Sequence, residues 1–195
     1  MNYESKLQEL LDSSLKIFAQ FGYKKATLEE IAGTLNMTKS ALYVYVQNKR
    51  DLYEKTVAVA LTRWQERVKE AVDQETEPAA KFTVLSLKAF QYLSENSDLR
   101  KVLIQDPDIF PMFPREDPYS AINDRSRKML QEILEAGIEK DQFRRVDVQS
   151  ITWLLFSIYK MFIIDSYIIS EKDSTGQLFQ EAVDLVMHGL LSKRR

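Results

Sequence analysis

The scarcity of backbone punctuation constrains this chain most. Five glycines and five prolines serve 195 residues, and three of the prolines crowd between positions 107 and 114. Sheets need turn residues at short, repeated intervals, so a chain this poor in them reads as all-α. Apolar periodicity agrees. Leu7, Leu10, Leu11, Ile17, Phe18 and Phe21 recur at helical spacing over 3–21, and Gly22 stands where a C-terminal cap belongs. Thr27-x-x-Glu30 is a capping box, and the helix it opens carries one apolar stripe of Leu28, Ile31, Ala32 and Leu35. Thr38 is placed to cap a short third helix over 38–49. Asn48, with Asp51 three residues on, is placed to cap a fourth that runs to about residue 73. Further helical patterns lie near 78–95, 97–106, 117–140, 147–171 and 175–191, with a Pro-rich, aromatic-containing loop at 106–118.

Composition narrows the classes. There are no cysteines, which excludes a disulfide scaffold, Cys-ligated zinc and thiol catalysis, and agrees with a reducing cytoplasm. The first residues, MNYESKLQELLDSS, contain acids and no apolar core, so they are not a signal peptide. The stretch ITWLLFSIYKMFIIDSYII (151–169) is apolar around most of its circumference, but Lys160 and Asp165 interrupt it, so it is not a membrane span. Such a helix must be buried on more than one side, one against its own core and the other against a second subunit. Net charge is −2 overall, yet residues 1–50 carry a net +2 and the rest −4, an asymmetry that permits an anionic partner at the N-terminal end.

Within that basic end, Leu42-Tyr-Val-Tyr-Val46 alternates like a half-buried strand, but the flanking caps place it on a helix. At 100° per residue Leu42 and Val46 share an inner edge, while Lys39 and Tyr43 share another face and Ser40 and Val44 continue round from them. Two short helices joined by the turn Leu35-Asn36-Met37-Thr38 have the form of a helix-turn-helix. One apolar edge would hold the second helix in place, its N-terminal residues would enter a DNA major groove, and hydroxyls and cations would fix the register on phosphates. The candidate DNA-binding residues are Thr27, Thr38, Lys39, Ser40, Tyr43, Tyr45 and Lys49, with Thr27 a helix cap in any case. Tyr43 and Tyr45 as plain core aromatics, and the lysines as solvated charges, are the bland alternatives.

These residues carry a family resemblance. Phe18…Phe21-Gly22-Tyr23, Thr27-x-x-Glu30-Ile31-Ala32, Met37-Thr38-Lys39-Ser40-Ala41-Leu42-Tyr43 and Tyr45-Val46-x-Asn48-Lys49-x-x-Leu52 recur in the order and spacing of the TetR (tetracycline repressor) family, over roughly residues 5–57. The chain departs from that pattern at Asn36, where a turn glycine is common, at Val46, where Phe is frequent, and at Ala41, where Thr or Ser is usual. The resemblance implies an all-helical homodimeric regulator, most often a repressor. Residues 1–50 would form the DNA-binding domain and 51–195 a domain for ligand binding and dimerisation. The dimer would form through the helices near 147–171 and 175–191, and a small molecule would release a palindromic operator.

An aromatic supply in the second region marks the candidate effector site: Trp64, Phe82, Phe90, Phe110, Phe113, Trp153, Phe156 and Tyr159, with Met112 and Phe162 beside them. As a group they favour an apolar or aromatic effector over a sugar or nucleotide; taken singly, such residues are more often ordinary core. His188 is the lone histidine and has no cluster of metal-ligating side chains in sequence around it. No Gly-rich phosphate loop, Ser-His-Asp spacing or HExxH occurs, so neither an enzyme nor a cofactor is expected. The competing reading is a helical small-molecule-binding or protein-interaction module that keeps the helix-turn-helix only as scaffold.

Overall fold

A computed structural model describes residues 2–106, 109, 118–164 and 175–191. Its helices are α1 (Tyr3–Lys25), α2 (Leu28–Thr34), α3 (Lys39–Leu42), α4 (Lys49–Asp73), α5 (Pro78–Glu95), α6 (Ser97–Gln105), α7 (Ser120–Glu139), α8 (Val148–Ile164) and α9 (Thr175–Leu190). Beyond one isolated antiparallel bridge, Phe143 to Leu191, the described residues form no β-structure. None of their helices is long and apolar enough to cross a membrane.

The chain forms two compact units, Met1–Arg63 with Asn96–Asp106, and Trp64–Glu95 with Pro107–Arg195. This packing does not divide the chain at residue 50. Helix α4 contributes to both units, and α6 is claimed by the first because it packs on α1. Gln105 Nε2 donates to the Ala19 carbonyl at 2.9 Å, and the Tyr53 hydroxyl donates to Asp106 Oδ2 at 2.8 Å.

In the first unit the local signals act as capping chemistry demands. Asn2 caps α1 through its side chain. Gly22 does not end α1 outright. It breaks the helix with φ 75° and ψ 163°, after which the chain regains one more turn to Lys25. Any other residue there would be strained by the positive φ, and its Cβ would lie 2.8 Å from Gln105 Oε1. Thr27 and Glu30 close the reciprocal capping box of α2. Leu10, Phe18, Ile31, Leu42 and Leu52 are sealed in the core.

The second unit joins the later part of α4 to α5, α7, α8 and α9. Helix α5 packs on α7 and α9, and α7 on α8. Trp64 is anchored by its indole N–H, which donates to the Ala89 carbonyl at 2.9 Å. Gly137 in α7 gives room to the buried Phe143 ring, which meets Phe82 edge-on at 6.3 Å between centroids. Arg144 ties the chain back to α9 through its backbone N–H on the Leu190 carbonyl and its Nε on the Gly189 carbonyl.

Candidate functional site

The turn before α3 follows from one residue. Asn36 takes φ 52°, the left-handed conformation that Asn tolerates best after glycine. With it in place, Met37 N–H bonds the Ala32 carbonyl at 2.9 Å, and α2 and α3 are held in contact. Thr38 then caps α3, accepting the Ala41 N–H at 3.2 Å. The regular helix is shorter than the expected 38–49 span. It ends at Leu42, and residues 43–45 continue as turns. Beyond it the Val46 N–H still bonds the carbonyl four residues back, that of Leu42, at 3.3 Å, which preserves the helical register of the inner edge. Leu42 and Val46 are therefore both buried, and together they hold a helix too short to be stable by itself.

What this edge leaves outside is the candidate surface. Thr38, Lys39 and Ser40 are exposed, Tyr43 is 46% exposed, and Val44, at 67%, is the most exposed hydrophobic residue of this segment. Lys39 Nζ lies 2.7 Å from Glu29 Oε1, a contact that reaches from α3 back to the first turn of α2. The hydrogen bond from Lys39, with its charge, holds the Glu29 carboxyl below its ordinary range, and the same bond to Glu29 raises the ammonium. Lys49 Nζ donates to the Lys24 carbonyl at 3.2 Å and rests 4.8 Å from the centroid of the Tyr23 ring. Thr27, between Lys24 and Glu29 in sequence, has its hydroxyl committed to Glu30, as acceptor from the backbone and as donor to the carboxylate. The structure thus groups Thr38, Lys39, Ser40 and Tyr43 on α3, with Lys39 tied to α2 and Lys49 tied to the end of α1. Tyr45 is placed differently. It is half-buried, and its ring stacks on Tyr3 at 4.9 Å between centroids. Glu29, Tyr23 and Tyr3 were not among the residues expected to matter here. No helical periodicity links Glu29 to Lys39 across the turn.

In the second unit a cavity of about 100 Å³ opens between α4, α5, α7, α8 and α9. Of the expected aromatics, Trp64, Phe82, Phe156 and Tyr159 line it, and Phe162 joins them. Phe90 is not in its wall; it stacks on Phe179, which is, at 4.9 Å. Trp153 is 63% exposed and turned elsewhere. Phe110, Met112 and Phe113 lie outside the described residues. The wall also contains polar groups that an aromatic search passes over, Gln65, Ser86, Asn123 and Ser126. Gln65 Nε2 donates to the Ile122 carbonyl at 2.8 Å and Ser86 to the Phe82 carbonyl at 3.0 Å. Asn123 and Ser126, three apart on α7, carry the signal that would have found them. Among the described residues that line it there is no Asp, Glu, Lys, Arg or His. Among the described residues no three metal-ligating side chains converge, and His188 is exposed near the end of α9.

Comparison with known proteins places these features. Residues 10–56 match the family described as bacterial regulatory proteins, tetR family. A repressor of Mycolicibacterium smegmatis, the HTH-type transcriptional repressor KstR2, is 27% identical over 165 residues, which is 80% of each chain. Among solved structures, a TetR transcription regulator from Haloarcula marismortui superposes with a TM-score of 0.83 at 18% identity over 97% of this chain and all of that one. The regulator FadR of Bacillus subtilis, in complex with stearoyl-CoA, gives 0.77 at 17% identity over 93% and 98%. The matched segment contains the capped turn, α3 and Lys49, and this N-terminal region is a domain of the tetR family of bacterial regulatory proteins.

Proposed function

We propose that the chain is a ligand-responsive repressor that binds a palindromic operator as a homodimer and lets it go when a small apolar or aromatic effector binds. The observation that carries the DNA half is α3 itself. A one-turn helix is held from beneath by Leu42 and Val46, and its outer side offers Lys39, Ser40 and Tyr43 to a groove. In this reading Thr38, Lys39, Ser40 and Tyr43 meet the DNA from α3, with Tyr45 at its edge. Thr27 and Lys49 take phosphates at the ends of the neighbouring helices. Residues 1–50 carry this function and 51–195 carry effector binding and dimerisation, in the cytoplasm.

The effector site is the neutral cavity walled by Trp64, Phe82, Phe156 and Tyr159, and the stearoyl chain of the stearoyl-CoA in complex with FadR supports an apolar body for an occupant of a domain of this fold. A free volume of this order accepts a single ring or a short chain, so a larger effector requires the helices to part. The dimer uses α8 and α9. Trp153, Leu154 and Met161 on α8, and Leu178 and Leu185 on α9, are large apolar side chains left between 46% and 76% exposed, more than a stable surface helix presents without a partner. A second copy of the chain is the occupant. A two-fold dimer reads two half-sites only when they lie one helical turn of DNA apart, about 34–36 Å, or a multiple of it. An effector that binds a dimer of different spacing more tightly than the DNA-competent one releases the operator by that difference.

The test is gel shift and anisotropy on the DNA upstream of the chain's own gene. Salt-sensitive, sequence-preferring binding is expected, and Tyr43→Ala or Lys49→Ala should weaken it while the helical circular dichroism and the dimer persist. Absence of such binding would move the chain to the competing class of helical binding modules. Unchanged affinity in both variants would remove these two residues from the DNA surface.

A further inference from the structure

The cavity has a charge boundary at one edge, and Phe156 marks it. The Phe156 ring lines the cavity and is itself half-buried. The guanidinium of Arg127, from α7, lies 5.8 Å from the ring centroid, and the ammonium of Lys160, one turn on in α8, lies 5.6 Å from it. Cations from two different helices therefore converge on a ring whose other contacts are with an uncharged interior. Arg127 also bonds Asp124, which occupies part of a fork with five N–H donors. The α7 segment 124–128, Asp-Arg-Ser-Arg-Lys, carries two further bases, Arg125 and Lys128, beside Arg127 in sequence.

We propose that the effector is an amphipathic anion, its apolar body in the cavity and its anionic end held at the Phe156 rim by Arg127 and Lys160. This rests on the reading of the cavity as the effector site. The interior sets the orientation. An ionised group placed among Trp64, Phe82 and Phe179 would lose its hydration with no cation among the described wall residues to replace it, so it stays at the rim. Long cationic side chains pack their stems on apolar surface and keep their heads mobile in water, so both cations can swing from the ring onto an emerging oxyanion. A carboxylate takes the Arg127 fork in two parallel bonds, and a phosphate does the same. The chemistry is shared by a free organic acid and by the phosphates of a thioester carrier. A neutral ligand of equal length gains nothing at the rim, so discrimination is for charge.

The test is isothermal titration of the full chain with three probes of equal chain length: octanoate, 1-octanol and octanoyl-coenzyme A. Binding of octanoate or octanoyl-coenzyme A about fivefold tighter than the alcohol is expected, the preference of a partly exposed ion pair. In Arg127→Gln/Lys160→Gln that preference falls to about one while alcohol binding is unchanged, which also shows the variant is folded. Asp124→Asn, by releasing the whole fork, increases the preference. Loss confined to octanoate marks a carboxylate as the anion, and loss confined to octanoyl-coenzyme A marks a carrier phosphate; either supports the proposal. Alcohol that binds as tightly as both anions, or a preference that survives the double substitution, overturns it and leaves the cavity as a neutral effector site. Failure of all three probes to bind overturns the reading of the cavity along with it.

Discussion

Glu29→Gln separates two roles that one ion pair could play. Lys39 stands at the head of α3, its ammonium 2.7 Å from Glu29, and both side chains are largely exposed. The pair is held by a charge-assisted hydrogen bond, which lowers the acid's pKa and raises the base's, so both remain charged at neutral pH. A DNA phosphate offers Lys39 the same chemistry. On the proposed function Glu29 stands in for the phosphate in the free protein, and operator binding would exchange one acceptor for another. Glutamine in its place removes the competing charge and takes a negative group away from the DNA surface. Affinity should rise. The salt dependence should rise with it, because Lys39 then neutralises a phosphate that it otherwise shares. One added phosphate contact steepens the slope of log K against log salt by about 0.9, so between about 50 and about 200 mM salt the variant should lose about 3.5-fold more affinity than the parent. Fluorescence anisotropy with a labelled operator duplex across that range reads both quantities. Lys39→Ala should flatten the slope, and Glu29→Gln added to it should leave that slope unchanged. Weaker binding by Glu29→Gln at an unchanged slope would refute the exchange and make Glu29 the residue that aims Lys39 at its target.

Gly137→Ala tests the packing of the second unit by sign. In an open helix alanine would stabilise by about 0.8–1 kcal/mol, but here the new methyl collides with the Phe143 ring, and overpacking should destabilise by about 1–3 kcal/mol instead; a thermal melt that moves upward would contradict the collision. Leu185→Glu, at the most exposed of the large apolar residues, should give a monomer with full helical content and much weaker operator binding, read by sedimentation and anisotropy; a persisting dimer would take α9 out of the interface. Asp51 supplies a pH test. Burial pushes its carboxyl up, but the Gln47 N–H at 2.8 Å and the Lys55 ammonium at 2.9 Å outweigh this and hold it below its ordinary 3.8. A carboxyl depressed in the folded state stabilises above its unfolded pKa and ceases to do so as pH falls through the folded one. The stability gap between the parent and Asp51→Asn should therefore be constant near neutrality and close below pH 3.8; a gap that persists into stronger acid would show that the carboxylate charge is not its source.

What was legible in the sequence was local. The Thr27–Glu30 box, the Thr38 cap and the Asn48 cap of α4 all act within three residues, and α5 runs over 78–95 as its pattern indicates. The β-like Leu-Tyr-Val-Tyr-Val alternation yields to those caps, because Leu42 and Val46 are four apart and the hydrogen bond between them places both inside. The unseen contacts are those that need the chain to return from afar. Gln105 meets Ala19 across 86 positions, and Tyr53 meets Asp106 across 53. Their types and spacing announce nothing, so the membership of α6 in the first unit had no signal.

Helix α8 marks the boundary between the two kinds of information. Its apolar character reads directly from sequence, but a helix apolar all round has no phase, since a periodicity with no polar side assigns no inside. Aromatic content alone therefore put Trp153 with Phe156 and Tyr159. In the fold, Thr152, Phe156, Tyr159 and Ile163 turn inward at spacings of three and four, while Trp153, Leu154 and Met161 face out. The outward set is as apolar as the inward one, which a helix with only a core to serve does not require. On the proposed function the two faces of α8 answer two demands: one side shapes the cavity, the other would meet a second chain, and a ligand that moves the first would act on the second through a single rigid helix. Coupling between effector and dimer geometry then needs no relay of side chains, only a helix that cannot satisfy both faces in the same position.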